Sequence, residues 1–118
     1  MKFTDSEIEK AKELKRLKLQ DRIENFSMGA GRYFWARENW AKENSNSSIQ
    51  IQSQIFLAVE NLEVGPHFIW MPTFDDLLEI APQLQITFSQ ITDYLHRRRF
   101  ADGREREGLY QLLIEKLR

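Results

Sequence analysis

The stretch Phe68–Tyr94, FIWMPTFDDLLEIAPQLQITFSQITDY, decides the fold. It opens on the apolar run Phe68-Ile69-Trp70-Met71, which Pro72 stops. Thr73 fits a helix N-cap, because its hydroxyl can accept from the open N–H groups of a first turn. Asp75 and Asp76 place negative charge at the positive end of that helix's dipole. Leu77, Leu78, Ile80 and Ala81 supply an apolar face, and Pro82 should end the helix or kink it.

Residues 84–94 have two readings. In the first, Leu84, Ile86 and Phe88 alternate with Gln85, Thr87 and Ser89, the period of a half-buried strand. Ile, Thr, Phe and Tyr dominate as far as Tyr94, and all suit strands. This predicts a strand from about Leu84 to Ile91, paired with one that includes Arg98 and Phe100. In the second, Thr87 and Gln90 form a capping box for a helix carrying Ile91 and Leu95 at i, i+4. Residues 77–96 then form a helix-turn-helix, with small Ala81 inside the first helix and Ile80, Leu84, Ile86, Ile91 and Tyr94 at the apolar positions. Against it stand Pro82, which would fall inside the first helix, and Gln85, where such a turn usually has glycine. The expected fold is therefore α+β and mainly helical, about five helices with a small antiparallel hairpin (84–101) between the last two. The alternative is an all-α chain with a helix-turn-helix at 77–96.

Length and composition set the outer bounds. A chain of 118 residues, 42% hydrophobic and 30% charged, is expected to be one soluble globular domain, 1–118. With no cysteine there is no disulfide framework, thiolate metal site or cysteine nucleophile. A net charge of −1 supplies no global attraction to nucleic acid or to an anionic membrane. No apolar run is long enough for a signal peptide or a bilayer span, so the expected compartment is the cytoplasm.

Outward from the central stretch, residues 4–26 read as one charged helix opened by a Thr4–Glu7 capping box. Ile8, Leu19, Ile23 and Phe26 share one face, while Leu14 and Leu17 make a second apolar patch suited to a partner helix or a second protomer. Gly29-Ala30-Gly31 breaks the pattern. A second helix is expected over Arg32–Lys42. Its crowded aromatics cannot all point inward, which makes Phe34 and Trp35 candidate exposed contacts. Ile51, Ile55, Val59 and Leu62 favour a helix over Gln50–Leu62, with a strand at its start as the alternative. Leu109, Leu112, Leu113 and Leu117 mark the buried side of a last helix over 104–118. Between Asn44 and His96 there is no Lys or Arg, whereas Arg97, Arg98, Arg99, Arg104 and Arg106 come close behind. An acidic middle thus precedes a compact basic segment.

Trp70-Met71-Pro72-Thr73-Phe74-Asp75-Asp76-Leu77 resembles the W-x-P-T-x-D-x-L stretch of small uncharacterised phage and prophage proteins. The Gly103–Leu117 segment is similar to the closing helix that some of them carry after a hairpin. The resemblance implies a mobile-element or bacterial accessory origin and a helix–hairpin–helix arrangement, and it implies no activity.

Chemistry is sparse. His67 and His96 lack metal-ligand spacing, and Asp93 with His96 reads as a surface pair. No catalytic residue, cofactor or metal is expected. Two classes of function remain. One is a non-catalytic interaction or adaptor protein, binding a protein partner or a second copy of itself through Leu14, Leu17, Phe34 and Trp35. The other is a DNA-binding regulator, turning Thr87, Ser89, Gln90 and Thr92 toward base edges and Arg97, Arg98, Arg99 and Arg104 toward phosphates. Because Asp75, Asp76 and Glu79 would then lie near the phosphate backbone, and because of Pro82, the interaction protein is the expectation.

Overall fold

A computed structural model describes residues 2–26, 31–36, 49–52, 55–58, 68–98 and 103–118, with the backbone alone for 49–52. The chain divides into two compact units, one made of Met1–Phe26 with Pro72–Arg118, the other of Ser27–Met71.

The described residues of the Ser27–Met71 unit form an antiparallel sheet. Its strands are β1 (Tyr33–Ala36), β2 (Ile49–Gln52), β3 (Ile55–Ala58) and β4 (Phe68–Trp70). β1 lies between β3 and β4, and β2 adds a fourth strand along the outer edge of β3. Phe34 sits opposite Phe56 on one side and Trp70 on the other. Alternation then puts Phe34, Ala36, Phe56, Ala58, Phe68 and Trp70 inward. The Phe34 ring stacks on Phe56 at 5.8 Å, and Phe68 meets Phe56 edge-on at 5.4 Å.

This corrects two expectations. Tyr33–Ala36 opens no helix: its aromatics suit a pleated surface, and Phe34 is fully buried. The rest of the expected 32–42 helix, Trp40 included, lies outside the described residues. Ile51 and Ile55, four apart, stand on two paired strands and not on one helix face, so 50–58 is a pair of strands. Residues 59–62 again lie outside the described residues.

The other unit holds four helices among the described residues: α1 (Asp5–Arg16), α2 (Phe74–Ile80), α3 (Phe88–Arg97) and α4 (Glu105–Leu117). Three begin with a capping box, at Thr4/Glu7, Thr73/Asp76 and Thr87/Gln90, where the cap hydroxyl accepts from the third residue's N–H and that residue's side chain accepts from the cap's N–H. α1 stops at Leu17, and Lys18 turns left-handed at φ 60° before a short 3-10 turn over Leu19–Arg22. The single helix expected over 4–26 is therefore two pieces, and Leu19 reaches the core by that turn.

α4 packs against α1, α2 and α3. It buries Leu109, Tyr110, Leu113, Ile114 and Leu117, each large side chain contributing about 1.5–3 kcal/mol. Leu112, expected among them, is only half-buried, and Tyr110 takes its place in the core. The Tyr110 hydroxyl donates to the Pro72 carbonyl at 2.5 Å, and burial pushes its phenol pKa upward. Gly103, at φ +90°, supplies the left-handed residue that leads into α4.

The hairpin expected over 84–101 is absent from the described part of that range. α2 passes into a 3-10 turn, Ala81–Leu84, with Pro82 in its first turn, where a missing N–H leaves nothing unpaired. Gln85 is left-handed (φ 59°), which sends both Leu84 and Ile86 inward and so imitates strand alternation in the sequence. Phe88 breaks the imitation: it is 73% exposed and opens α3. Arg98 caps that helix rather than pairing in a strand, and Phe100 lies outside the described residues. The strands fall instead between α1 and α2. An all-α chain is likewise excluded by the sheet.

Candidate functional site

Residues 77–98 are the best-defined candidate. Ile80, Ala81 and Leu84 before the turn, and Ile86 and Ile91 after it, are buried. Tyr94 and Leu95 are half-buried. The Gln85-Ile86-Thr87 connection is three residues long, and its first residue takes the conformation that glycine normally supplies. Buried residues thus fix α3 by one face.

The opposite face of α3 is open. Thr87, Phe88, Ser89, Gln90, Thr92, Asp93, His96 and Arg97 are all exposed. At about 100° per residue, Phe88, Thr92 and His96 follow one stripe at i, i+4, i+8, and Ser89, Asp93 and Arg97 follow the next. Several polar groups are engaged locally. Thr87 Oγ1 accepts from the Gln90 N–H at 3.1 Å, and Gln90 Oε1 accepts from the Thr87 N–H at 2.8 Å. Thr92 donates its hydroxyl to the Phe88 carbonyl at 3.1 Å.

The arginines are held to different degrees. Arg97 pairs with Asp93 across one turn at 3.1 Å, both exposed. Arg98 reaches α4, 3.1 Å from Glu115, and lies 5.4 Å from the centre of the Tyr94 ring. The Tyr94 hydroxyl also donates to Glu115; burial, then that hydrogen bond, pushes its pKa up to about 12. Arg104 pairs with Glu107 at 2.8 Å in α4. Arg99 lies outside the described residues. The two exposed pairs, Arg97–Asp93 and Arg98–Glu115, are worth about 0–1 kcal/mol each.

Acidic neighbours are fewer than the sequence suggests. Asp76 is buried, accepting from the Thr73 N–H at 3.0 Å, so it belongs to the cap. Asp75 and Glu79 remain exposed, one turn apart on α2. Beside the turn, Arg22, Gln83, Leu84, Gln85, Lys116 and Leu117 line a shallow cavity of about 250 Å³ that brings two cations together without a carboxylate.

The proposed protein-docking residues fare differently. Leu14 is buried, 2% exposed, because α1 packs its apolar side on α4. Phe34 is fully buried in the sheet's aromatic cluster. Both are corrections, since neither can meet a partner. Leu17 and Trp35 are half-buried. The exposure of Phe88 went unforeseen from the sequence, although a residue directly after a capping threonine is where a helix begins, not where a strand continues.

Among the described residues no three His, Asp or Glu side chains gather as a metal site, and no helix is long and apolar enough to cross a membrane. Compared with protein-family models, with curated proteins and with solved structures, the chain matches none.

Proposed function

We propose that residues 77–96 are a helix-turn-helix and that the protein is a non-catalytic regulator binding duplex DNA, with α3 as its recognition helix. The observation that carries this is Gln85 in the left-handed conformation between two helices, with Ile80, Ala81, Leu84, Ile86 and Ile91 buried around it. The arrangement holds α3 by its apolar side and leaves Thr87, Ser89, Gln90 and Thr92 outward at the end that meets base edges in such motifs. Arg97 and Arg98, whose partners Asp93 and Glu115 are at the surface, and Arg104, itself exposed, are the side chains for phosphates. The objection from Pro82 weakens, because it is accommodated in a 3-10 turn, and of the three acids Asp76 is buried in a cap while Asp75 and Glu79 stay exposed. The rival, an interaction protein docking through Leu14, Leu17, Phe34 and Trp35, loses two of its four contacts to burial.

The test is titration of the 118-residue chain with a random duplex pool, then sequencing of the bound fraction. An enriched motif is expected, with affinity falling as salt rises. Arg97→Ala should weaken binding to all sequences alike and reduce the salt slope by about 1, whereas Ser89→Ala should relax preference at one position. A bound fraction as random as the starting pool overturns the proposal.

A further inference from the structure

Resting on that reading, we infer that Phe88 and Thr92 form an apolar stripe that reads the 5-methyl groups of thymine, so the DNA site carries thymine under the start of α3. Among the described residues, Phe88 is the large hydrophobic side chain most open to water, 73% exposed on a helix whose Ile91 is buried and whose Tyr94 and Leu95 are half-buried. An isolated exposed leucine or phenylalanine needs no explanation. This one stands in the first turn of the helix whose buried side fixes its direction, and it has a neighbour of matching chemistry one turn on.

Thr92 lies at i+4 from Phe88 and has spent its hydroxyl on the Phe88 carbonyl, 3.1 Å away. What it has left to offer a partner is a methyl group and the acceptor side of its hydroxyl oxygen. Gln90, a natural reader of adenine, has one of its two hydrogen-bonding ends, the side-chain oxygen, engaged by the Thr87 N–H. The hydrogen-bonding capacity of the exposed face is therefore reduced where its apolar area is greatest. In the major groove the one apolar feature of any base pair is the thymine methyl, which Phe and the Thr methyl are suited to cover. A protein groove would also take an aromatic ring, but it would call for a wider apolar surround, and apart from half-buried Leu95 the neighbours of Phe88 on this face are Thr87, Ser89, Thr92 and His96.

The experiment uses the 118-residue chain and the duplex enriched by selection, with each thymine replaced singly by deoxyuracil. That exchange deletes only the methyl and leaves the pairing and the O4 acceptor intact. At one or two positions binding should fall about fourfold, the factor for uncovering one methyl. Phe88→Ala should bind the thymine and deoxyuracil duplexes equally well at one of these, and Thr92→Ser, which keeps the hydroxyl, should do so at the other. Since Phe88 is exposed, Phe88→Ala should melt with the wild type. An enriched motif whose binding ignores deoxyuracil at every position overturns the inference and leaves DNA binding standing. If no motif is enriched, both fall. If Phe88→Ala instead dissolves a dimer and leaves DNA affinity unchanged, Phe88 joins two copies and the inference is overturned.

Discussion

Arg106 grips Glu7 with two nitrogens, Nε meeting one carboxylate oxygen and Nη2 donating to the other at 3.0 Å, although 99 positions separate them. The same carboxylate accepts from the Thr4 N–H at 2.9 Å, so the cap of α1 and the ion pair share one group. The Arg106 guanidinium also lies 4.1 Å from the centre of the Phe3 ring. Start and end of the chain are thus tied through one charge-assisted fork.

Arg106→Met should destabilise the helical unit by about 3 kcal/mol, because it leaves the Glu7 carboxylate buried without its counter-charge. Adding Glu7→Gln to that variant should recover part of the loss, since no buried charge is then left over. Urea unfolding of the single and double variants measures both. A double variant weaker than Arg106→Met by the full cost of Glu7→Gln alone would mean the two side chains act independently.

Acid should weaken the fold in a definite window. Burial raises the Glu7 pKa, but hydrogen bonds from Arg106 and Thr4, with the Arg106 charge, outweigh it and hold the value below the ordinary 4.5. A group with a lowered folded pKa stabilises fully above its unfolded value and loses that contribution as pH falls through the folded one. Glu107, held down chiefly by a hydrogen bond with Ser6, works in the same direction. The urea midpoint should be flat above about pH 6 and fall below about pH 4.5, and Arg106→Met should show a shallower fall.

Leu113→Ala should cost about 2–5 kcal/mol, the range for emptying a buried leucine site. Leu112→Ala, one position away but half-exposed, should cost well under half as much. Equal losses in thermal or urea melts would show that α4 does not present the face described.

Gln85→Gly should stabilise by about 0.5–1 kcal/mol, relieving the left-handed strain of a residue with a Cβ while loosening the unfolded chain. Gln85→Val should destabilise, because a β-branched side chain tolerates positive φ least. A Gly variant less stable than the wild type would show that the Gln85 side chain does more than endure its conformation.

What the sequence disclosed was mostly local. Thr4 with Glu7 and Thr87 with Gln90 are capping boxes visible at three-residue spacing, and each forms as read. The strands are hard to read because the aromatics of Tyr33-Phe34-Trp35-Ala36 suit a strand but so short a run also fits helical spacing, and its partners, Ile55–Leu57 and Phe68–Trp70, decide. The hairpin pattern has a subtler origin: a left-handed Gln85 reproduces strand alternation over Leu84 and Ile86 without any strand. In the candidate site, the exposure of Thr87, Ser89, Gln90 and Thr92 could be read from the helical alternative. The engagement of Arg98 could not, since Glu115 lies 17 positions on.

The helical unit is assembled from two separated pieces of chain, Met1–Phe26 and Pro72–Arg118, with the entire sheet unit threaded between them. α1 therefore meets α4 only after a long loop has closed, an entropic delay that grows slowly with loop length, about 0.6 kcal/mol per doubling. Folding of the helical unit should begin among α2, α3 and α4, which are contiguous, and the arrival of α1 should be the late step. On a ribosome that order inverts the order of synthesis: α1, made well before α4, waits for it before it has a surface to rest on.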